Sequence, residues 1–261
     1  MKIDLTGKNA LIGGSSKGIG LAIAKRLASS GANVTLMARN GNLLKKIVRE
    51  LDQGKGQLHQ SFVIDFSDYG TFSQKIYSFF KKNKIDILVN NTQGPPPGKA
   101  LEKNINEYQT AFDLLFKCAI YTTSLAIPHM KSQGWGRVIN VSSISVKEPL
   151  NNLVLSNSLR SALAVWSKSL SVDVAEFNIT INNVLTGFFD TERLEQLHSS
   201  KAKLQGKKLS EINNEIKALI PMKRFGKVEE YASLVCFLSS DLSGYITGTS
   251  IPIDGGVLKS L

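Results

Sequence analysis

The chain has 261 residues, of which 42% are hydrophobic, 20% charged and 8% aromatic, a composition typical of a globular protein with its own core. Its 32 basic and 21 acidic residues give a net charge of +11, but no basic segment interleaved with aromatic residues predicts a nucleic-acid partner. No stretch approaches the ~20 apolar residues of a membrane span, and the two cysteines and three histidines lack disulfide or metal spacing, so we expect a cytoplasmic protein without a metal site.

Short apolar runs alternate with longer amphipathic stretches along the chain. The runs predict strands at residues 9–13, 33–38, 60–65, 85–90, 137–141, 179–185 and 250–253. Between them, helices are predicted at residues 18–30, 43–51, 72–80, 106–132, 152–177 and 231–238. This alternation indicates βαβ units. The predicted fold class is therefore α/β, with one domain over residues 1–261: a Rossmann-type doubly wound sheet of about seven parallel strands with helices on both faces.

A glycine-rich loop, Gly13-Gly14-Ser15-Ser16-Lys17-Gly18-Ile19-Gly20, separates the first predicted strand from the first predicted helix. Glycines let the backbone turn tightly next to a phosphate, and the helix N-terminus offers free N–H groups to an anion. In a βαβ unit, this pattern predicts a dinucleotide site. The residues expected to contact the cofactor are Gly14, Ser16, Lys17, Gly18, Ile19 and Gly20.

The end of the second predicted strand indicates which dinucleotide binds. An acidic residue there would bind the ribose hydroxyls of NAD, whereas this strand ends in Met37-Ala38-Arg39. Arg39 can pair with a ribose 2′-phosphate, and Lys17 can approach the same phosphate from the glycine loop. The sequence therefore favours NADP(H) over NAD.

The spacing of the glycine loop resembles that of the short-chain dehydrogenase/reductase family, and further similar segments extend the resemblance over nearly the whole chain. They are Asp65-Phe66, Asn90-Asn91-Thr92-Gln93-Gly94, Ile139-Asn140-Val141-Ser142-Ser143, Thr186-Gly187-Phe188-Phe189-Asp190-Thr191, Tyr245-Ile246-Thr247-Gly248 and Ile253-Asp254-Gly255-Gly256. Within the family, the chain looks most like the 3-oxoacyl-[acyl-carrier-protein] reductases. The resemblance implies further cofactor contacts at Asp65, Phe66, Asn91, Phe189 and Thr191.

The chain departs from the family at the catalytic tetrad of Asn, Ser, Tyr and Lys. Ser143 occupies the serine position, but Ser156 stands where Tyr is expected, Arg160 where Lys is expected, and Leu115 where Asn is expected. Serine is a far weaker acid than tyrosine, and arginine stays protonated, so neither replaces the lost residue in proton transfer. The resemblance therefore implies catalytic roles for Ser143, Ser156 and Arg160 with an altered proton donor.

Two functions remain open from the sequence. One is an NADP(H)-dependent oxidoreductase that acts on a carbonyl or an activated acceptor, either a small molecule or an acyl-carrier- or CoA-linked substrate. The other is an NADP(H)-binding pseudoenzyme with a sensing or assembly role. The basic, amphipathic segment 192–221 is expected to be a substrate lid, and the resemblance implies a homo-oligomer, either a tetramer or a dimer.

Overall fold

The computed structural model describes residues 3–260, which form a seven-stranded parallel sheet in the order β3-β2-β1-β4-β5-β6-β7. Strand order reverses between β1 and β4, and ligands of such sheets bind beyond the carboxyl ends of the strands at this point. The strands are β1 (Asn9–Ile12), β2 (Asn33–Ala38), β3 (Gln60–Val63), β4 (Ile87–Asn90), β5 (Gly136–Ser143), β6 (Ile179–Thr186) and β7 (Ser250–Ile253).

Helices cover both faces of the sheet, which confirms the predicted doubly wound α/β fold. Buried side chains of α1, α2 and α8 form a core on one face, whereas those of α3, α4 and α5 form a core on the other. The helices are α1 (Gly18–Ser29), α2 (Gly41–Glu50), α3 (Tyr69–Phe80), α4 (Ile105–Gln133), α5 (Val154–Val174), α6 (Glu192–Gln205), α7 (Leu209–Leu219) and α8 (Val228–Leu238).

Four strands end at different residues from those predicted, and β1 differs by a single residue, ending at Ile12 instead of Gly13. Central strands β5 and β6 pair residue by residue as far as Ser143 and Thr186, beyond the ends that apolar composition predicted, because main-chain pairing continues through polar residues. Conversely, β3 ends before Asp65, whose carboxylate accepts a hydrogen bond from the Ser67 main chain and so favours a turn. These ends place Ser143 and Asp65 at the carboxyl edge of the sheet.

Helix α4 is longer and more apolar than the sequence analysis anticipated. Its 29 residues include a window of mean hydropathy 1.2, which meets the length and composition of a membrane span. In this fold 44% of that window is buried, and Cys118, Ala126 and Met130 pack into the core beneath the sheet. The apolar composition therefore corresponds to packing against the sheet. Five residues, Asp113–Lys117, form a π-helical turn within α4.

Candidate active site

The glycine-rich loop is fastened to the sheet by a buried serine. The Ser15 hydroxyl donates a hydrogen bond to the carbonyl of Ile12 (2.9 Å) in β1 and accepts one from the main-chain N–H of Met37 (2.9 Å) in β2. These bonds fix the loop where strand order reverses. Sequence analysis did not single out Ser15; a serine within a glycine loop was the only available signal.

The loop also requires glycine for steric and conformational reasons. Gly14 and Gly18 have φ values of +53° and +55°, which side-chain-bearing residues adopt at a cost. A Cβ atom at Gly13 would overlap the carbonyl oxygen of Asn91, and one at Gly20 would overlap that of Gly14. The Asn91 amide donates to the Gly13 carbonyl (3.0 Å), so Asn91 acts in this structure by holding the loop.

The N-terminus of α1 is open to a ligand. Its N-cap residue, Lys17, makes no side-chain cap, and the first helical hydrogen bond runs from Leu21 N–H to the Lys17 carbonyl. The N–H groups of Gly18, Ile19 and Gly20 therefore have no hydrogen-bond acceptor within residues 3–260. Three free N–H groups at a helix N-terminus fit a phosphate. Ser16 lies beside them in the loop, with its hydroxyl likewise unbonded in this part of the chain.

The two cations expected at the 2′-phosphate have different surroundings. Arg39 stays exposed after β2, where one guanidinium nitrogen donates to the Gln93 amide oxygen (3.4 Å) and the positive charge helps to lower the pKa of Asp65. Lys17 instead forms an ion pair with Glu192 at the start of α6, with both side chains more than half exposed. Arg39 is thus free to meet a ligand at the end of β2, whereas Lys17 points towards α6.

Asp65 and Phe66 follow β3 at the same edge of the sheet. Main-chain and side-chain hydrogen bonds from Ser67 lower the pKa of Asp65, so its carboxylate is ionised at neutral pH. The Phe66 ring packs against Phe72, with the ring centres 5.3 Å apart. Both residues therefore occupy the end of the sheet that the family resemblance predicts for the adenine.

Ser143 lies at the end of β5. Its register partner is Thr186 of β6, and its hydroxyl oxygen accepts a hydrogen bond from the main-chain N–H of Ser145 (3.1 Å). The hydroxyl hydrogen has no acceptor within the described range, 3–260, and can therefore be donated to a substrate oxygen.

Ser156 and Arg160 contact each other one turn apart on α5. The Arg160 guanidinium donates from Nε to the Ser156 hydroxyl (3.1 Å) and from Nη1 to the carbonyl of Val141 (2.7 Å). Burial of this guanidinium lowers the pKa of Arg160, although arginine remains protonated in proteins. The structure thus brings together Ser156 and Arg160, the two residues predicted from the family resemblance to stand at the tyrosine and lysine positions.

A small cavity of mixed polar and apolar lining lies beside Arg160. It measures about 20 Å³, enough for a water molecule, and its lining includes Arg160, Leu115 and Cys118. Leu115 packs with the buried side chains of Leu155 and Leu159 where the family has asparagine. Burial raises the pKa of Cys118 to about 12, so its thiol stays neutral at physiological pH. Neither Leu115 nor Cys118 supplies a charged proton carrier.

Tyr231 is the tyrosine whose pKa responds to the Arg160 charge, but it does not substitute for the missing proton donor. Its hydroxyl donates to the carbonyl of Val184 (3.1 Å) and accepts from Thr186 (3.1 Å). Burial raises the pKa of Tyr231 above its usual value despite the nearby positive charge of Arg160. Its hydroxyl proton is therefore held in a hydrogen bond to a main-chain carbonyl within the core.

The segment after β6 contributes a core residue and a helix cap. The Phe189 ring is buried against Tyr231, with centroids 5.2 Å apart, so the ring lies in the core and is not available to contact a cofactor. The Thr191 hydroxyl caps α6 by accepting from Leu194 N–H (3.3 Å). Arg193, in the first turn of α6, donates to the carbonyl of Pro95 (3.2 Å) in the loop after β4. The sequence analysis did not identify Arg193, since only the fold brings it to that loop.

Comparisons with known proteins give one consistent result. A family model described as enoyl-(acyl carrier protein) reductase matches residues 14–258. The NADPH-dependent reductase BacG of Bacillus subtilis (strain 168) is 32% identical over 97% of this chain and 99% of its own. The 3-oxoacyl-[acyl-carrier-protein] reductase FabG of Aquifex aeolicus (strain VF5) is 30% identical over 98% of this chain and 100% of its own. The L-sorbose reductase of Gluconobacter frateurii, solved with NADPH and L-sorbose, superposes with a TM-score of 0.92 at 30% identity, with both chains covered completely.

Proposed function

The chain belongs to the short-chain dehydrogenase/reductase family, and from this membership we propose that it is an NADP(H)-dependent reductase of a carbonyl or an activated acceptor. The observation that carries the proposal is the open N-terminus of α1, with three unbonded N–H groups and an exposed Arg39 after β2. The printed descriptions of similar reductases, two of which name NADPH, support the same cofactor.

The residues of the site fit both phosphate positions of this cofactor. Arg39 would pair with the 2′-phosphate, and the loop with the N-terminus of α1 would bind the pyrophosphate. When bound, NADPH supplies a hydride. The residues that we propose for the cofactor site are Gly14, Ser16, Lys17, Gly18, Ile19, Gly20, Arg39, Asp65, Phe66, Asn91, Phe189 and Thr191. Lys17 would have to break its ion pair with Glu192 to reach a phosphate. Asn91 would act indirectly, because its amide holds the glycine loop.

The chain's own contribution to the reaction centres on the ends of β5 and α5. Ser143 would donate a hydrogen bond from its free hydroxyl to the substrate oxygen, and Arg160 would stabilise the negative charge that develops there. The proton that completes the reduction would come from solvent. Ser156 is oriented by the Arg160 guanidinium. Because serine is a weak acid, the site favours an activated acceptor, whose reduction relies less on a strong proton donor.

The proposal is tested by absorbance assays of NADPH oxidation with ketones, quinones, activated alkenes and 3-oxoacyl esters. Turnover on a member of this panel supports the reductase. The Arg160→Ala variant should then lose most of that rate, because charge stabilisation at a reacting oxygen typically contributes ~10²–10³-fold. NADPH binding without turnover on any member would favour the second function, an NADP(H)-binding pseudoenzyme that senses the cofactor or acts in assembly.

We also propose that α6 and α7, within residues 192–221, form the substrate lid. The segment begins at the Thr191 cap, and its two helices pack together through Ala202, Ile212 and Ile216. Of its four clustered lysines, Lys207 is ion-paired with Glu215. We propose that the other three lysines bind the acidic surface of an acyl carrier or the phosphates of CoA; they are Lys201, Lys203 and Lys208.

A homo-oligomer formed through α4 and α5 is part of the proposal. Val165 and Val172 project from α5 with 69% and 71% of their surfaces exposed, although they lie at the helical spacing of a packed face. The compartment that we propose is the cytoplasm, because Cys118 and Cys236 are both buried as unpaired thiols.

A further inference from the structure

Two arginines from different elements lie at the loop after β4, and neither has an acidic partner among the described residues. Arg160 lines a cavity together with Thr92 of that loop, and Arg193 contacts Pro95 further along it. Arg160 projects from α5, with bonds only to the Val141 carbonyl and the Ser156 hydroxyl. Arg193 projects from α6 and donates to the Pro95 carbonyl. Within residues 3–260, neither guanidinium lies within ion-pair distance of a carboxylate.

This arrangement is unfavourable in the protein alone. Partial burial lowers the pKa of both arginines, and the charge of Arg193 lowers that of Arg160 further, so the two groups repel each other. Arg193, although exposed as a residue, also occupies the first turn of α6, where the helix dipole disfavours a cation. Desolvated charges in proteins are normally paired. An anion bound between the two arginines would offset all three costs.

Arg193 lies at the loop after β4, whereas Thr191 lies beside the N-terminus of α1. A Cβ atom built on Gly18 would lie 3.6 Å from the Thr191 methyl group, which puts Thr191 beside the N-terminus of α1. A Cβ atom built on Gly94 would lie 3.6 Å from Arg193 Nη2, in the segment that leads to Pro95. Arg193 therefore connects the lid to the loop after β4, across the cleft mouth.

We propose that the substrate carries a carboxylate that binds Arg193 on the side facing Arg160, while its reducible group lies between Arg160 and Ser143. The inference rests on the proposed function, because it assigns a substrate class to that same cleft. Guanidinium groups suit a planar carboxylate because they donate two parallel hydrogen bonds. The substrate class is thus a carboxylic acid with a carbonyl or an activated double bond.

The experiment measures binding, so it does not depend on turnover. Protein saturated with NADP⁺ is titrated calorimetrically with pyruvate, phenylpyruvate, acetoacetate and 4-oxopentanoate, and with the methyl ester of each acid. We expect at least one acid to bind at least about tenfold more tightly than its ester. Arg193→Gln should remove that preference, and Arg193→Lys should restore part of it because the charge returns without the fork. Arg49→Gln, which changes an exposed arginine on α2, is the matched control.

Three outcomes would overturn the proposal. The first is that no acid in the panel binds more tightly than its ester, and the second is that Arg193→Gln keeps the preference. The third is that Arg193→Gln weakens NADPH binding instead, which would assign Arg193 to the cofactor pyrophosphate. Failure of the proposed function would look different, because the unmutated protein would then not bind NADPH at all.

Discussion

Replacing Arg39 with alanine should selectively weaken NADPH binding. Arg39 is exposed after β2, and its hydrogen bond to Gln93 is long at 3.4 Å, so its removal should leave the fold intact. The variant loses a charge-assisted contact to the 2′-phosphate of about 1.5–3 kcal/mol. That loss corresponds to a roughly 10–150-fold weaker affinity for NADPH. NADH lacks the phosphate, so its affinity should be unchanged.

Fluorescence titration of both cofactors measures this effect. Arg49→Ala removes an exposed arginine from α2 and should change neither affinity. Lys17→Ala should have a smaller effect than Arg39→Ala, because Lys17 is already ion-paired with Glu192. Superimposable NADPH and NADH titration curves for the unmutated protein would refute the reasoning, since Arg39 would then have no phosphate to recognise.

Three further changes test the loop, the tetrad and the core. The Gly18→Val variant should fold, judged by circular dichroism, yet lose NADPH binding. Its backbone has a φ of +55°, and the added side chain would enter the proposed phosphate site at the N-terminus of α1. Normal NADPH binding by this variant would mean that the phosphate site is misplaced. The combined change Leu115→Asn, Ser156→Tyr and Arg160→Lys should abolish turnover of the substrate found by the NADPH-oxidation panel, whereas faster turnover of a simple 3-oxoacyl ester would indicate a decayed site. Phe72→Ala should lower the free energy of unfolding in urea by about 3–5 kcal/mol, because Phe72 is fully buried; a loss below about 1 kcal/mol would show that α3 does not anchor that face.

The alternation of apolar runs was sufficient to predict the parallel sheet, because each strand buried on both faces has a short continuous apolar sequence. Strand β2 was predicted to the residue at Asn33–Ala38. The ends of β5 and β6 were predicted too early because their last residues are polar, and only their mutual pairing reveals that they continue. Local composition thus located the strands, whereas pairing across the sheet determined where they stop.

The site was predictable where its chemistry is local in sequence. The glycine loop, Arg39 and the Ser156–Arg160 spacing lie within single segments, so their positions at the sheet edge followed from the fold class. Contacts between distant segments were not predictable: Lys17 pairs with Glu192, and Arg193 bonds to Pro95. These contacts depend on where the start of α6 lies relative to the glycine loop and the loop after β4, and no local pattern encodes that.

We predict a re-purposed site rather than a decayed one, because the residues at the three altered positions fit one another. Arg160, at the lysine position, donates a hydrogen bond to Ser156, at the tyrosine position. Leu115, at the asparagine position, is buried in an apolar cluster with Leu155 and Leu159 on α5. Neutral loss of activity would leave unpaired polar groups at such positions rather than a hydrogen bond and a packed cluster. Restoring the family residues must therefore break established contacts, which is why we expect the combined change to remove activity rather than recover it.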